Sequence, residues 1–251
     1  MLPSDMPREV AWPPSEPGDR DRLLTDVSRH FALRFPGFSP WEECHAWTNA
    51  VYRARAHWTP AFGGEQYSLG RAWYTHLEED LSDEYFENAA ASNRLVEATL
   101  PGMQQRVLDT VQALSGGSAT VRAGWCGPGV HVFPNGEVVA RRGGVVHFDT
   151  EGLTDEHVRA KKPALSLLLM LHAPQRGGGI ALWDVLHSGA DEATADELER
   201  PSTLVEYDVG ELCVFDSYRL HQIQPFGGRR DRISVTAHAA EVEPNQWEVW
   251  F

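Results

Sequence analysis

The sequence predicts an α+β chain with a mainly β core, a sandwich or jelly roll, buttressed by N-terminal helices. Three observations predict it. Before about Leu114 apolar residues recur at helical spacing, after Gly117 short β-rich runs alternate with Gly and Pro turns, and Arg232 to His238 alternates polar with apolar residues.

Residues 1 to about 19 are rich in Pro, Ser and acids around Trp12-Pro13-Pro14 and read as an irregular arm. Helices are expected over Asp21 to Phe35, Trp41 to Trp58, Ser82 to about Ala98 and Pro101 to Leu114. In the last, Met103, Val107, Val111 and Leu114 make one apolar stripe, Pro101 suits the first turn, and Gly116-Gly117 ends it. Ser82 followed by Asp83 and Glu84 is a suitable helix start. Strands are expected over Ala119 to Arg122, Val130 to Phe133, Glu137 to Arg141, Val145 to Phe148, Leu165 to His172, Ile180 to Trp183, Leu204 to Tyr207, Leu212 to Phe215, His221 to Gln224 and Ile233 to His238. Pro134-Asn135-Gly136 is a tight-turn signal. The acidic, Ala-rich segment Ser188 to Arg200 reads as a surface insertion with a helical turn. Residues 1–118 are thus an arm and helical layer and 119–251 the β core, together one integrated unit.

Composition removes several function classes. A formal net charge of -14 repels phosphate backbones, and the densest basic group, Arg229-Arg230-Asp231-Arg232, is interrupted by an acid, so no nucleic-acid partner is expected. No apolar run approaches the roughly 20 residues that span a bilayer, so no membrane association is expected. Met1 to Asp5 lacks the basic and apolar features of a secretory signal. Cys44, Cys126 and Cys213 form no CxxC pair and read as reduced thiols in a cytoplasmic protein.

The chemistry is carried by His147-Phe148-Asp149, then His221, then Arg232-Ile233-Ser234. On a strand His147 and Asp149 share a face while Phe148 points away, so two ligands meet one ion. His221, from a separate β-rich run, supplies the third, and two His with one carboxylate are the donor set of a mononuclear non-haem iron site with open positions. His172 and His187 are rival third ligands. On the next strand Arg232, Ser234, Thr236 and His238 share a face that looks into the cavity, while Ile233, Val235 and Ala237 pack on the second sheet. A guanidinium fork with a nearby hydroxyl suits a carboxylate. His131 and Arg122 lie on strands before the first ligand and are substrate or cosubstrate candidates, equally readable as structural hydrogen-bonding residues. Trp125 and Trp183 read as core, and Cys126 and Cys213 as small apolar packing.

From about Val130 to Ala239 the chain resembles the Fe(II)/2-oxoglutarate-dependent dioxygenases of small-molecule hydroxylase type. The resemblance rests on His147-Phe148-Asp149, Leu165 to Leu171, Gly177-Gly178-Gly179 leading to Leu182-Trp183-Asp184, Gly210 to Asp216, His221 and Arg232-Ile233-Ser234 in that order. It implies a double-stranded β-helix (jelly roll, cupin-like), with His147, Asp149 and His221 as Fe(II) ligands and Arg232 with Ser234 gripping the far carboxylate of 2-oxoglutarate. O2 would be the second cosubstrate. Asp149 stands where halogenases of the family carry a small residue, which favours hydroxylation over halogenation. The expected activity is therefore hydroxylation of a small molecule, such as an amino acid, its derivative or a specialised metabolite, with release of succinate and CO2. Alternatives are a cupin-like isomerase or sensor without oxygenase activity, and a demethylase, desaturase, halogenase or epoxidising variant of the same fold. Substrate and oligomeric state are not legible in the sequence.

Overall fold

A computed structural model describes residues 7–14, 16 and 18–251 of the chain. Residues 1–6, 15 and 17, which carry part of the expected arm and the segment read for a secretory signal, lie outside the described residues.

Two sheets face each other. The larger has the central order Ala32–Phe35, Leu212–Asp216, Ala164–His172, Arg232–Glu243, Gly129–Phe133 and Gln66–Leu69, extended by Thr59–Ala61 at one end and Arg8–Glu9 at the other. Gln246–Trp250 pairs with the far half of Arg232–Glu243 and with Ser118–Val121. The smaller sheet is Ser202–Val205, Ile180–Leu186 and Arg219–Ile223. Most pairings are antiparallel, as hairpin-rich β chains require.

Side-chain alternation divides the core. On Ala164–His172, Leu165, Leu167, Leu169 and Leu171 pack outward with Met103, Val107 and Val111 of the helix Met103–Ser115. Leu168 and Met170 pack inward with Ile180 and Leu182 of the small sheet. Because a strand exposes successive residues on opposite faces, one near-continuous apolar run serves both layers. The same division corrects one expectation for Arg232–Glu243. Its Ile233, Val235 and Ala237 do not meet the second sheet; they join the helix-facing core, and the polar set faces the inter-sheet space.

Other expectations shift in instructive ways. The first helix spans Arg20–His30, capped by the Asp19 carboxylate accepting from the Arg22 N–H, and ends at Phe31 with φ 62°. The chain then runs as a strand beside Leu212–Asp216. Phe31 is a non-glycine residue in the left-handed region, and no Gly or Pro announces the break. Its ring is buried under the Arg219 guanidinium, which sits 4.0 Å from the centroid. With Thr59–Ala61 and Gln66–Leu69 also in the large sheet, the first half of the chain is not purely helical. The expected strand Glu137 to Arg141 is instead the helical turn Val138–Arg142, closed by Gly143 at φ 83°. Pro134-Asn135-Gly136 does turn the chain, but into that helix rather than a hairpin. Ser82 begins its helix as a helical residue without a capping hydrogen bond, and Pro101 lies in the turn before Met103–Ser115. The helical turn Ala195–Leu198 occupies the acidic insertion, closed by a capping box between Thr194 and Glu197. All three cysteines are free and buried. No helix among the described residues is long and apolar enough to cross a membrane.

Leu169→Ala tests the division. It removes a side chain only 2% exposed at the junction of sheet and helices, so a loss of about 2–5 kcal/mol is expected in urea unfolding. A loss under about 0.5 kcal/mol would show that the helical layer does not seal this face.

Candidate metal centre

The inter-sheet space opens into a cavity of about 380 Å³, within the size range of small-molecule sites. Its inner wall carries His147, Asp149, His221, Arg232, Ser234, Thr236 and His238. Aromatic and aliphatic side chains such as Phe62, Tyr74, Phe133, Val139 and Ile223 make up much of the rest, with Glu65, Glu78 and Glu151 among them.

His147 does not lie in a regular strand, as the sequence had suggested for Val145 to Phe148. It forms a single bridge with His221, each residue's N–H donating to the other's carbonyl at 3.0 and 2.9 Å. The Asp149 N–H donates to the Ser217 carbonyl at 2.9 Å. These bonds hold the segment against Arg219–Ile223 and preserve the alternation. Phe148 is buried with Trp183, Val185 and Leu220 behind the small sheet, while His147 and Asp149 face the cavity. One donor atom from each of His147, Asp149 and His221 lies within 4.8 Å of the others. The Asp149 Oδ1 is 3.3 Å from His147 Nε2, and Oδ2 is 3.4 Å from His221 Nε2. Ligands about 2.1 Å from one ion stand about 3 to 4 Å apart, so the three residues are close enough to share one ion.

The imidazoles are oriented by their own backbone. His147 Nδ1 lies 2.8 Å from the Val145 carbonyl and His221 Nδ1 lies 2.9 Å from the Arg219 carbonyl. A carbonyl only accepts, so each Nδ1 carries the proton and each Nε2 turns to the cavity. Burial opposes ionisation of Asp149, but His221, His238 and His147 around it hold its carboxyl well below the usual range. Burial likewise opposes the charged form of His147, and the hydrogen bond and charge of Asp149 outweigh it, raising His147 to about 9.

Arg232 is fully buried. Its Nε donates to the Gly178 carbonyl at 3.0 Å, one Nη to Ser234 Oγ at 3.2 Å, and the other to the Tyr207 hydroxyl. The Gly178 carbonyl is presented from a turn in which Gly177 and Gly178 both have positive φ, the backbone freedom glycine supplies. A register shift between Ile233 and Ser234 sits beside the guanidinium, a place where bulges re-aim side chains. No carboxylate pairs with Arg232 among the described residues, although a buried charge is costly without a counterion.

The other sequence candidates separate cleanly. His131 lies on the cavity wall opposite Ser234 in register, wedged among Tyr74, Phe133 and Phe251, with its Nδ1 unpartnered. Arg122 does not reach the cavity: it pairs with Glu248 at 2.8 Å and its guanidinium stacks 3.9 Å from the Trp250 ring. His172 packs against Tyr52 and His187 against Phe148, so neither joins the triad. Trp183 packs in the core behind the small sheet, and Trp125 packs against Trp73, Tyr85 and Trp250. His238 was legible as sharing a face with Arg232, but its closeness to Asp149 was not. Ser166 and Tyr207 gave no usable signal beyond a lone hydroxyl in an apolar run and a strand end.

No protein-family profile and no curated protein sequence matches the chain. Solved structures do. An N-substituted L-amino acid dioxygenase from Burkholderia ambifaria AMMD superposes with TM-score 0.56 at 15% identity, covering 93% of this chain and 92% of that one. The fold is that of the Fe(II)/2-oxoglutarate-dependent oxygenases. The epimerase SnoN, solved with Fe3+, alpha-ketoglutarate and nogalamycin RO, gives TM-score 0.52 at 15% identity over 88% of this chain and 85% of its own. The alpha-ketoglutarate-dependent carbocyclase SnoK from nogalamycin biosynthesis gives 0.51 at 13% identity over 94% and 100%. The double-stranded β-helix expected from the sequence is thus the fold observed, while these relatives catalyse differing reactions.

Burial holds His131 neutral, pushing it down to about 3, and the neighbouring His238 and Arg232 act in the same direction. In the unfolded chain the same imidazole titrates near 6.5. The unfolded state therefore takes up a proton that the folded state refuses, and stability falls as pH drops from about 6.5 towards 3. His131→Gln removes this contribution. The wild type is expected to lose about 2 kcal/mol more than the variant between pH 7 and pH 5 in urea unfolding. Parallel curves for the two proteins would refute the assignment.

Proposed function

We propose that the chain is an Fe(II)- and 2-oxoglutarate-dependent oxygenase that hydroxylates an unactivated C–H bond of a small molecule. The observation that carries this reading is a pairing in one cavity. A two-His-one-carboxylate donor set and a buried guanidinium without an acidic partner among the described residues line the same space. The first suits a ferrous ion with open positions, and the second suits the distal carboxylate of a dicarboxylic 2-oxo acid.

The donor chemistry fits iron. Both Nε2 atoms are left free by Nδ1 bonds to carbonyls, and the Asp149 carboxylate is ionised between them. An ion there replaces the proton shared between His147 and Asp149. When bound, iron with 2-oxoglutarate and O2 supplies the oxidising chemistry, and the cosubstrate leaves as succinate and CO2. The chain contributes placement. Arg232, held by Gly178, Ser234 and Tyr207, fixes the cosubstrate's far end through a fork that is already oriented. Leu168, Ile180, Phe133 and Val139 exclude water around it. The aromatic lining residues Phe62 and Tyr74 hold the substrate beside the donor set.

The test is 2-oxoglutarate-dependent succinate release over a panel of amino acids, N-substituted amino acids and aromatic metabolites, with product masses read alongside. A gain of one oxygen is expected. Asp149→Ala and His221→Ala are expected to abolish release, and unchanged turnover in either would refute the ligand set. Arg232→Lys keeps the charge and loses the fork, so the KM for 2-oxoglutarate should rise roughly 10- to 100-fold with little change in substrate KM. An equal rise in both constants would remove Arg232 from the cosubstrate site.

A further inference from the structure

Asp149 is also gripped by Ser166, a buried hydroxyl that does not line the cavity. Ser166 Oγ lies 2.5 Å from Asp149 Oδ2, 2.9 Å from Ser217 Oγ and 3.3 Å from His238 Nδ1. His238 Nδ1 is also 3.7 Å from Oδ2. Ser166 and Ser217 are fully enclosed, at 0% and 1% exposure, so no solvent competes for these contacts. Register makes the cluster. Ser166 pairs with His238 on one neighbouring strand and with Phe215 on the other, and Ser217 follows where that strand turns.

Donor counting orders the network. A serine hydroxyl has one proton and two lone pairs. Ionised Asp149 only accepts, so Ser166 gives its proton to Oδ2. Ser217 must then donate to Ser166, and His238 meets it through an Nδ1–H. One arrangement satisfies every contact, which is what makes a buried polar cluster rigid.

The consequence falls on the ion site. Both carboxylate oxygens stand near an imidazole Nε2, Oδ1 by His147 and Oδ2 by His221. Either or both could face an ion. Oδ2 already accepts from Ser166, which weakens it as a ligand and stops the carboxylate from rotating. We propose that Ser166, supported by Ser217 and His238, is a positioning residue that presents Asp149 to the ion through one oxygen only. A carboxylate that chelated through both would occupy a further coordination position, one that a bidentate cosubstrate and O2 together need. The lone serine in Leu165-Ser166-Leu167-Leu168 is therefore a functional interruption of an apolar run. This inference rests on the iron reading of the triad.

The experiment titrates the metal-stripped protein with Co(II), following the visible absorption bands, for wild type, Ser166→Ala and Ser217→Ala. Thermal melts run alongside. Ser166→Ala is expected to bind Co(II) about 10- to 100-fold more weakly, with band intensities altered from wild type by the changed coordination. Ser217→Ala, which leaves the Ser166 hydroxyl unsupported, is expected to show a smaller loss of the same kind. If Ser166→Ala does not fold, Ser217→Ala decides by the same two readouts. Wild-type affinity and spectrum in the folded variants would overturn the proposal while leaving the iron reading intact. A wild type that takes up no Co(II) would sink the iron reading itself.

Discussion

Charge inside an apolar barrel is the constraint on which the rest of the structure depends. Asp149 is ringed by His147, His221 and His238, and Arg232 lies fully buried against neutral acceptors. Neither group would be tolerated there without dense hydrogen bonding. Several segments around the cavity, strands and loops alike, contribute to that bonding. Gly178 and Tyr207 serve Arg232, Ser166 and Ser217 serve Asp149, and the carbonyls of Val145 and Arg219 serve the two imidazoles.

The layers outside the barrel make this possible. The helix Met103–Ser115 and its neighbours cover the outer face of the large sheet with Leu, Val and Met side chains. That frees the inner face to be polar at selected positions. Arg232–Glu243 shows the trade most clearly, with Ile233, Val235 and Ala237 outward and Arg232, Ser234, Thr236 and His238 inward. Because the strand period is two, one strand both anchors the sheet to the helices and carries half of the site.

The same scaffold accommodates an epimerase, a carbocyclase and an amino acid dioxygenase among its structural relatives. Their chemistry differs while the fold persists, as expected when function lives in sites built on a shared scaffold. In this chain the short helices Trp73–Glu78 and Val138–Arg142 and the residue Phe62 line the cavity along with the donor set. The sequence read those segments least well, because short helices and loops lack a long periodic signal.

Some things were decided locally. The alternation in Arg232 to His238, the turn glycines at 177 and 178 and the dipeptide spacing of His147 and Asp149 follow from backbone geometry within a few residues, and they were legible in order along the chain. Others needed the third dimension. Phe31 breaks a helix without a breaker residue because its ring is buried beneath Arg219, Arg122 turns from the cavity to Trp250, and Ser166 reaches Asp149 only because two strands set it beside Ser217 and His238. The sequence by itself determined which residues could share a face. Only the tertiary structure decided which faces meet, because a hydrogen bond or a buried ring contact joins residues whose separation along the chain carries no information about their distance in space.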